Sequence, residues 1–406
     1  MLLLVPTGTY RAGDFLAAAA ELGVEVVVGV DDQRAAAVLG GQTVHVPLHD
    51  PDTAAAAVVA IDARTPLDAV VAVDDQGTLT AARAAERLGL RHNPPDAVIA
   101  ARDKLVMRQR LQAAEVPQPR FVAVPAGTSA HELVAVASAI GFPVVVKPTT
   151  LSASQGVIRA DGPSELVATA ARVRAIATGA GVPSTAPLLV EQYVPGTEVA
   201  LEGMLDGGAL RVLAIFDKPD PLEGPYFEET LYVTPSRMAA TERAAVVRAT
   251  QAAARALGLR DGPVHAELRV RGERAVVLEV AARTIGGLCS RTLRFGTGRS
   301  LESLVLAHAL GRPDAVPPTG GAAGVLMIPI PAAGTLVGID GEPEVRAIPG
   351  IVGMHITVPR GGRLVPVPEG DRYLGFVFAR AATPAAVEHA LREARRVLAV
   401  RVDPDG

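Results

Sequence analysis

The stretch GPVHAELRVRGERAVVLEVAARTIGG, residues 262–287, holds two runs of alternating side chains around a glycine. Successive side chains of a strand point to opposite faces. The first run therefore places Val264, Ala266, Leu268 and Val270 on one face and His265, Glu267 and Arg269 on the other. The second places Val276, Leu278, Val280 and Ala282 opposite Glu279, Ala281 and Arg283. A three-residue loop, Gly272-Glu273-Arg274, closes such a hairpin at a common length and sets Glu267 directly across from Glu279. Two carboxylates paired in this way stand roughly 4.5–5.5 Å apart at Cβ and repel. A divalent cation with oxygen ligands relieves the repulsion: Mg²⁺ is typically held by one or two carboxylates plus substrate phosphates. Arg283 on the same face can hold an anionic oxygen nearby. An ordinary solvated hairpin whose acids pair with Arg269 and Arg283 accounts for these residues equally well.

Upstream, VVVKPTTLSASQGVIRA (144–160) is a strand ending at Lys147, a loop of small polar residues through Gly156, and a second strand. Such a loop can turn several backbone N–H groups toward one anion, with the lysine as point charge. No G-x-x-x-x-G-K-[ST] is present and Lys147 precedes the loop, so it is not a P-loop; alone, it reads as a hairpin tip. LLVEQYVPGTEVALEGML (188–205) runs an apolar strand into Glu191, Gln192, Tyr193 and Val194, turns at Pro195-Gly196, and resumes near Glu198. Amides exposed between two strands can read the edge of an adenine, and the later acid can take a ribose hydroxyl pair. A strand–turn–strand with acidic rims explains the same residues.

The N-terminal ninety or so residues alternate Val/Leu-rich runs (LLLVP, VEVVVGVD, TVHVP, LDAVVAVD) with Ala-rich stretches at Phe15–Leu22 and Gln76–Leu88. Continuous apolar strands separated by helices indicate a parallel sheet covered on both faces. Asp31-Asp32 and Asp74-Asp75 end two of these strands, where such sheets place ligands, although helix N-capping is the preferred reading. No G-x-G-x-x-G follows the first strand, so no dinucleotide site is inferred. HNPPDA (92–97) is a Pro-rich joint, followed by a helix over DAVIAARDKLVMRQRLQAA (96–114). From Gly321 a third unit of short strands closes with a helix at Pro384–Val397.

The chain has 406 residues, enough for two or three domains. Lys plus Arg number 39 against 43 Asp plus Glu, and aromatics are 3% with no Trp. Neither the electrostatic footprint nor the stacking platforms of a nucleic-acid binder are present. The single cysteine, Cys289, excludes an intrachain disulfide and any Cys-rich metal site. It reads as a small buried hydrophobe rather than a nucleophile. The opening MLLLVPTGTY lacks a basic n-region and reads as a buried strand. With no apolar run long enough to span a bilayer, the expectation is a soluble, cytoplasmic protein without membrane partners. The prevalence of two-fold dimers makes a homodimer the default assembly.

Taken in order, seven pieces of the chain resemble the ATP-grasp superfamily: ARDKLVMRQRL, GFPVVVKP, SASQG, EQYVPGTEV, FDKPDPLEGPYFEETLYVTPS, HAELRV and LEVAARTIGG. The tail, with AIPGIVGMHITVPRGG and YLGFVFARA, is similar to the C-terminal domain of the L-amino acid ligases (dipeptide synthetases) within it. The resemblance implies an α/β ATP-grasp fold in three parts. These are an N-terminal parallel α/β (Rossmann-like) domain at 1–95, a catalytic region at 96–320 with a flap subdomain at about 120–195, and a small α+β domain at 321–406.

It also implies roles. Lys104 and Lys147 would contact the ATP phosphates and purine edge, and Ser152, Ser154, Gln155 and Gly156 would belong to a mobile phosphate flap. Glu191 with the Gln192, Tyr193 and Val194 backbone would hold adenine, and Glu198 the ribose. Glu267 and Glu279 would coordinate Mg²⁺, or Mn²⁺ in its place. Arg283 would hold the substrate carboxylate and its acyl phosphate, with Gly286 and Gly287 shaping the pocket. Tyr226, Phe227, Glu228 and Glu229 would line the site of the carboxylate or incoming amine. One position departs from the family's Glu-x-Asn-x-Arg pattern: Ala281 stands where Asn would add a metal ligand, which puts a second metal in doubt. The implied activity is ATP-dependent ligation of a small carboxylate to an amine through an acyl phosphate, with two amino acids as the expected substrates. Ligation of another carboxylate in specialised metabolism, biotin-carboxylase-like carboxylation and a non-catalytic nucleotide binder are the alternatives.

Overall fold

The computed structural model describes residues 1–35, 42–294, 298–312, 317 and 320–404. Strands β1 (Leu2–Val5), β2 (Val27–Val30), β3 (Thr43–His45) and β4 (Val70–Ala72) form a parallel sheet in the order β3-β2-β1-β4. Their unbroken apolar runs follow from cover on both sides. Leu2 and Leu4 pack with Ala54 and Val58 of the helix Pro51–Asp62, while Leu3 and Val5 pack with Phe15 and Ala18 of the helix Ala12–Glu21. Asp32 receives the amides of Arg34 and Ala35, and Asp74 receives that of Asp75 and the hydroxyl of Thr9. Capping is thus what Asp32 does, whereas Asp74 and Asp75 both cap or pair locally and face the central cavity.

Residues 96–114 form two helices, Pro95–Arg102 and Lys104–Ala113, and not the single one expected. Asp103 is extended between them (φ −96°, ψ 110°) and its carboxylate takes the amides of Leu105 and Val106. An Asp that can satisfy two free N–H groups favours a new helix start over continuation. The restart matters because it orients Lys104 and Arg108, one turn apart on the same face.

Strands β5 (Phe121–Val124), β6 (Val144–Pro148), β7 (Ile158–Ala160) and β8 (Leu188–Gln192) make a small antiparallel sheet, β5-β8-β6-β7. The helices Ala130–Ile140 and Pro163–Gly179 back it, burying Leu133, Ala137, Leu166 and Val173.

The central sheet uses β9 (Thr197–Asp206), β10 (Ala209–Asp217), β11 (Leu231–Thr234), β12 (Gly262–Arg271), β13 (Arg274–Ala281) and β14 (Ala322–Ile328). After β15 (Gly334–Asp340) come β16 (Ile351–Ile356), β17 (Arg363–Leu364), β18 (Gly375–Ala381) and β19 (Ala399–Pro404). The eight-stranded order is β13-β12-β9-β10-β11-β14-β18-β16. Strands beyond residue 321 therefore share one sheet with those before it, and only β15, β17 and β19 form a sheet of their own. The helix Pro384–Val397 lies on this shared sheet through Val387, Leu391 and Ala394. The helix Ala240–Leu257 starts one residue before Thr241, which lies inside its first turn. The Glu242 carboxylate reaches back to accept from the Ala239 amide.

The β12–β13 hairpin pairs Glu267 with Glu279, but through a different turn. Arg271 pairs with Arg274 around Gly272-Glu273, with Gly272 at φ 57°. A two-residue loop alone would shift the register by one, and a bulge at Leu278 restores it, since Glu267 pairs with Glu279 and Leu268 with Val277. The expected alternation of the second strand consequently breaks. Ala275, Val277 and Val280 join Val264, Ala266, Leu268 and Val270 in the core with Ala282 packed against them, where Val276, Leu278, Val280 and Ala282 were expected to share a face. No helix among the described residues is long and apolar enough to cross a membrane.

Candidate functional site

A cavity of about 580 Å³ lies among the C-terminal ends of the parallel strands, the small sheet and the central sheet. That volume falls within the range of small-molecule sites. Its wall includes Lys104, Lys147, Ser152, Ser154, Glu191, Gln192, Tyr193, Val194, Glu198, Phe227, Glu229, Glu267, Glu279, Arg283, Gly286 and Gly287.

The facing acids do not pair with Arg269 and Arg283. Glu279 contacts Lys104 at 3.3 Å. Glu267 contacts His265 Nε2 at 3.3 Å and the Lys218 ammonium at 3.4 Å. Burial opposes ionisation of Glu267, but Lys218, His265 and Arg283 overcome it and hold the carboxyl far below the ordinary carboxylate range. His265 also bonds Glu202 at 3.0 Å. Burial would lower its pKa, yet the two carboxylates lift it to about 9. Arg269 instead meets Glu198 at 2.9 Å, and Arg283 lies 3.8 Å from Asp75 and bonds the Thr284 carbonyl. The Arg283 side chain lines the cavity.

Glu191 is engaged from two sides, by Arg108 Nε at 2.6 Å and by Lys147 at 2.7 Å. Burial would raise its pKa, but Arg108 and Lys147 together bring it down to about 2. Burial presses the Lys147 ammonium below its usual value; Glu191 opposes this, while the neighbouring Arg108 and Lys104 charges add to it. Arg108 also donates to the Leu278 carbonyl at 2.6 Å, tying the bulge of β13 to Glu191. Of the three amides expected to face a purine, those of Gln192 and Tyr193 are already donated to Arg120 and Pro143. The Val194 amide has no such bond among the described residues. The Tyr193 and Phe227 rings stack beside it, 6.5 Å apart.

Glu198, expected at a ribose, accepts from Lys218 at 2.7 Å as well as from Arg269. Lys218 also contacts Glu229, which receives the hydroxyls of Tyr232 at 2.6 Å and Tyr373 at 3.2 Å. Four expected residues do not line the cavity. Along 226–229 the side chains alternate, so Phe227 and Glu229 enter it while Tyr226 and Glu228 point away. Tyr226 accepts from Arg172 at 2.6 Å, and burial raises the Glu228 pKa. In the polar loop, Gln155 Nε2 bonds the Glu369 carbonyl and the Gly156 amide bonds that of Pro368. Those two residues hold the loop to the C-terminal part and leave Ser152 and Ser154 facing inward.

Cys289 touches the cavity, but burial pushes its thiol far above the thiolate range, in keeping with an inert side chain. Gly287, at φ 61°, leaves room for the Phe376 ring, which a Cβ would approach to 2.7 Å. Gly287→Ala is expected to cost about 1–3 kcal/mol, read as a lowered midpoint in thermal unfolding.

Arg108, Lys218 and Tyr373 belong to the site without having been singled out. Arg108 is legible as one turn beyond Lys104 on a face shared with Met107 and Leu111, all buried. Lys218 and Tyr373 arrive from the end of β10 and the approach to β18, and nothing in their local sequence marks them. The donor set at Glu267 and Glu279, two carboxylates in register and lining the cavity, fits Mg²⁺ or Mn²⁺. Ala281 adds no donor.

Comparison with known proteins places this geometry. Residues 140–292 match the model of the ATP-grasp domain, 16–92 that of the ATP-grasp N-terminal domain and 326–403 that of L-amino acid ligase C-terminal domain 2. The chain is 28% identical over 270 residues to alanine–anticapsin ligase of Bacillus subtilis strain 168, covering 62% of this chain and 56% of that one. It is 32% identical over 216 residues to D-alanine–D-alanine ligase of Gloeobacter violaceus, covering 51% and 67%. Alanine–anticapsin ligases from Bacillus are spanned over about half their length (49% to 56%). The crystal structure of an L-amino acid ligase from Bacillus licheniformis superposes with a TM-score of 0.79 at 26% identity, covering 99% of this chain and 98% of that one. The chain belongs to the ATP-grasp superfamily and carries a C-terminal domain of the L-amino acid ligase type.

Proposed function

We propose that this chain is an ATP-dependent carbon–nitrogen ligase that joins two amino acids, or amino-acid-like substrates, through an acyl phosphate. Residues 1–95, 96–320 and 321–406 are the three parts of that enzyme. One observation carries the reading: a single cavity gathers Lys104, Lys147, Arg283 and the opposed Glu267 and Glu279, while the thiol that touches it, Cys289, is held far above the thiolate range. Phosphoryl transfer needs alignment and charge neutralisation more than covalent catalysis, which matches such a wall. The relatives named as amino-acid ligases support it.

The substrate carboxylate oxygen attacks the γ-phosphorus, the bond from that phosphorus to the bridging oxygen breaks, and ADP leaves. The amine then attacks the acyl carbon, the carbon–oxygen bond to phosphate breaks, and an amide and inorganic phosphate result. Lys104 and Lys147 supply positive charge along the nucleotide, and Ser152 and Ser154 present polar groups from the loop. Arg283 holds the carboxylate and stabilises the oxyanion of the tetrahedral intermediate. Bound between Glu267 and Glu279, Mg²⁺ would neutralise charge on the terminal phosphates. Anchoring of the loop at Gln155 and Gly156 keeps water from the acyl phosphate.

The test is phosphate release from ATP with paired amino acids, with the condensed product sought by mass spectrometry. Release that requires both a carboxylate and an amine, with the amide as product, is expected. Release driven by bicarbonate alone, or nucleotide binding without turnover over a broad amino-acid panel, overturns the proposal.

A further inference from the structure

We propose that the Lys218 ammonium fills the cation position framed by Glu198, Glu229 and Glu267 and stands in for a second divalent ion, so that one metal ion serves each nucleotide. The inference rests on the nucleotide-binding function proposed above and concerns how its charge is neutralised.

Glu198, Glu229 and Glu267 each bring one carboxylate oxygen to within 4.8 Å of the others, a spacing that suits a cation. Lys218 already fills it. Its ammonium meets Glu198 at 2.7 Å, Glu229 at short range and Glu267 at 3.4 Å. Two of its N–H groups donate to Glu198 and Glu229, and Glu267 adds an ion-pair contact. The side chain is 3% exposed, so water does not compete for it.

Each acid of the triad also has a second donor: Arg269 on Glu198, His265 on Glu267, and the Tyr232 and Tyr373 hydroxyls on Glu229. A divalent ion entering this triad would have to displace Lys218 or sit against its charge in a desolvated wall. On the neighbouring strand, Ala281 pairs with His265 and offers no ligand atom. Among the described residues the Glu279 carboxylate is ion-paired to Lys104 alone, outside the triad and opposite Glu267. The geometry therefore leaves one position for a metal, between Glu267 and Glu279, and assigns the other positive charge to the protein.

The deciding measurement counts Mn²⁺ by electron paramagnetic resonance in protein saturated with a non-hydrolysable ATP analogue, whose retention is followed by equilibrium dialysis. One bound Mn²⁺ per chain is expected for the wild type and for Lys218→Arg, and two for Lys218→Met. Ala281→Asn is expected to remain at one, because the ammonium and not the missing amide sets the count. Two ions in the wild type, two in Ala281→Asn, or one in a folded Lys218→Met each overturn the inference. If Lys218→Met does not fold, the wild-type and Ala281→Asn counts decide it. Failure of the wild type to retain the analogue is a separate result, which overturns the nucleotide-binding function and the inference with it.

Discussion

Phosphate release by Glu279→Gln is expected to fall at least about 100-fold, with the thermal unfolding midpoint nearly unchanged. Glu279 is one of two facing carboxylates and the less enclosed of the pair, with Lys104 as its ion-pair partner. Replacing it by an amide keeps shape and removes charge. Lys104 retains the Leu151 carbonyl at 2.7 Å, so the fold loses little. In the proposed reaction the amide would hold Mg²⁺ less well than the carboxylate, so the positive charge that would neutralise the terminal phosphates is weakened where it is needed most, as the γ-phosphoryl group departs. Steady-state phosphate assays with both substrates saturating, beside a thermal melt, check the two halves. Turnover within a few-fold of wild type would remove Glu279 from the metal site.

Arg108→Met is expected to destabilise the protein by about 3–5 kcal/mol, the range for removing one partner of a buried ion pair. The guanidinium is fully buried and bonds Glu191 twice, at 2.6 and 3.2 Å, and the Leu278 carbonyl at 2.6 Å. Methionine fills the space but leaves the Glu191 charge to Lys147 alone. Chemical denaturation of the two proteins at neutral pH measures the difference.

The same cluster has a pH signature. Glu191 titrates at about 2 when folded against 4.5 in its ordinary state. Its contribution is therefore complete above pH 4.5 and disappears as pH falls through 2, amounting to about 3 kcal/mol at neutrality. The stability gap between wild type and Glu191→Gln should be widest near neutrality and narrow from pH 4.5 downward. A gap that stays constant across that window would show that the Arg108–Glu191–Lys147 charges contribute nothing pH-dependent.

Much of this architecture is written in local pattern. Four Val/Leu runs separated by Ala-rich segments lead directly to the parallel sheet, because a strand covered on both faces must be apolar throughout. The facing of Glu267 and Glu279 was also legible from alternation, although the route to it was not. A two-residue turn and a bulge together reproduce the pairing that a three-residue loop would give. Pattern alone does not reveal a bulge that cancels a turn, since both leave the same residues opposite each other. The segment 226–229 shows the opposite limit: its residues are all adjacent in sequence, and only the chain's direction at the cavity decides that Phe227 and Glu229 enter while Tyr226 and Glu228 do not.

The amino-acid sequence by itself determined the parallel strands, the apolar face of β12 and the opposed carboxylates, because each depends on residues a few positions apart whose spacing matches a strand period. Only the tertiary structure decided which charges meet. Arg108 reaches Glu191 across 83 positions, and Tyr373 reaches Glu229 across 144. Lys218 gathers carboxylates from β9, the 226–229 segment and β12 into one cluster. Electrostatic partners are set by distance in space and by the loss of water around them, and neither quantity has a period along the chain.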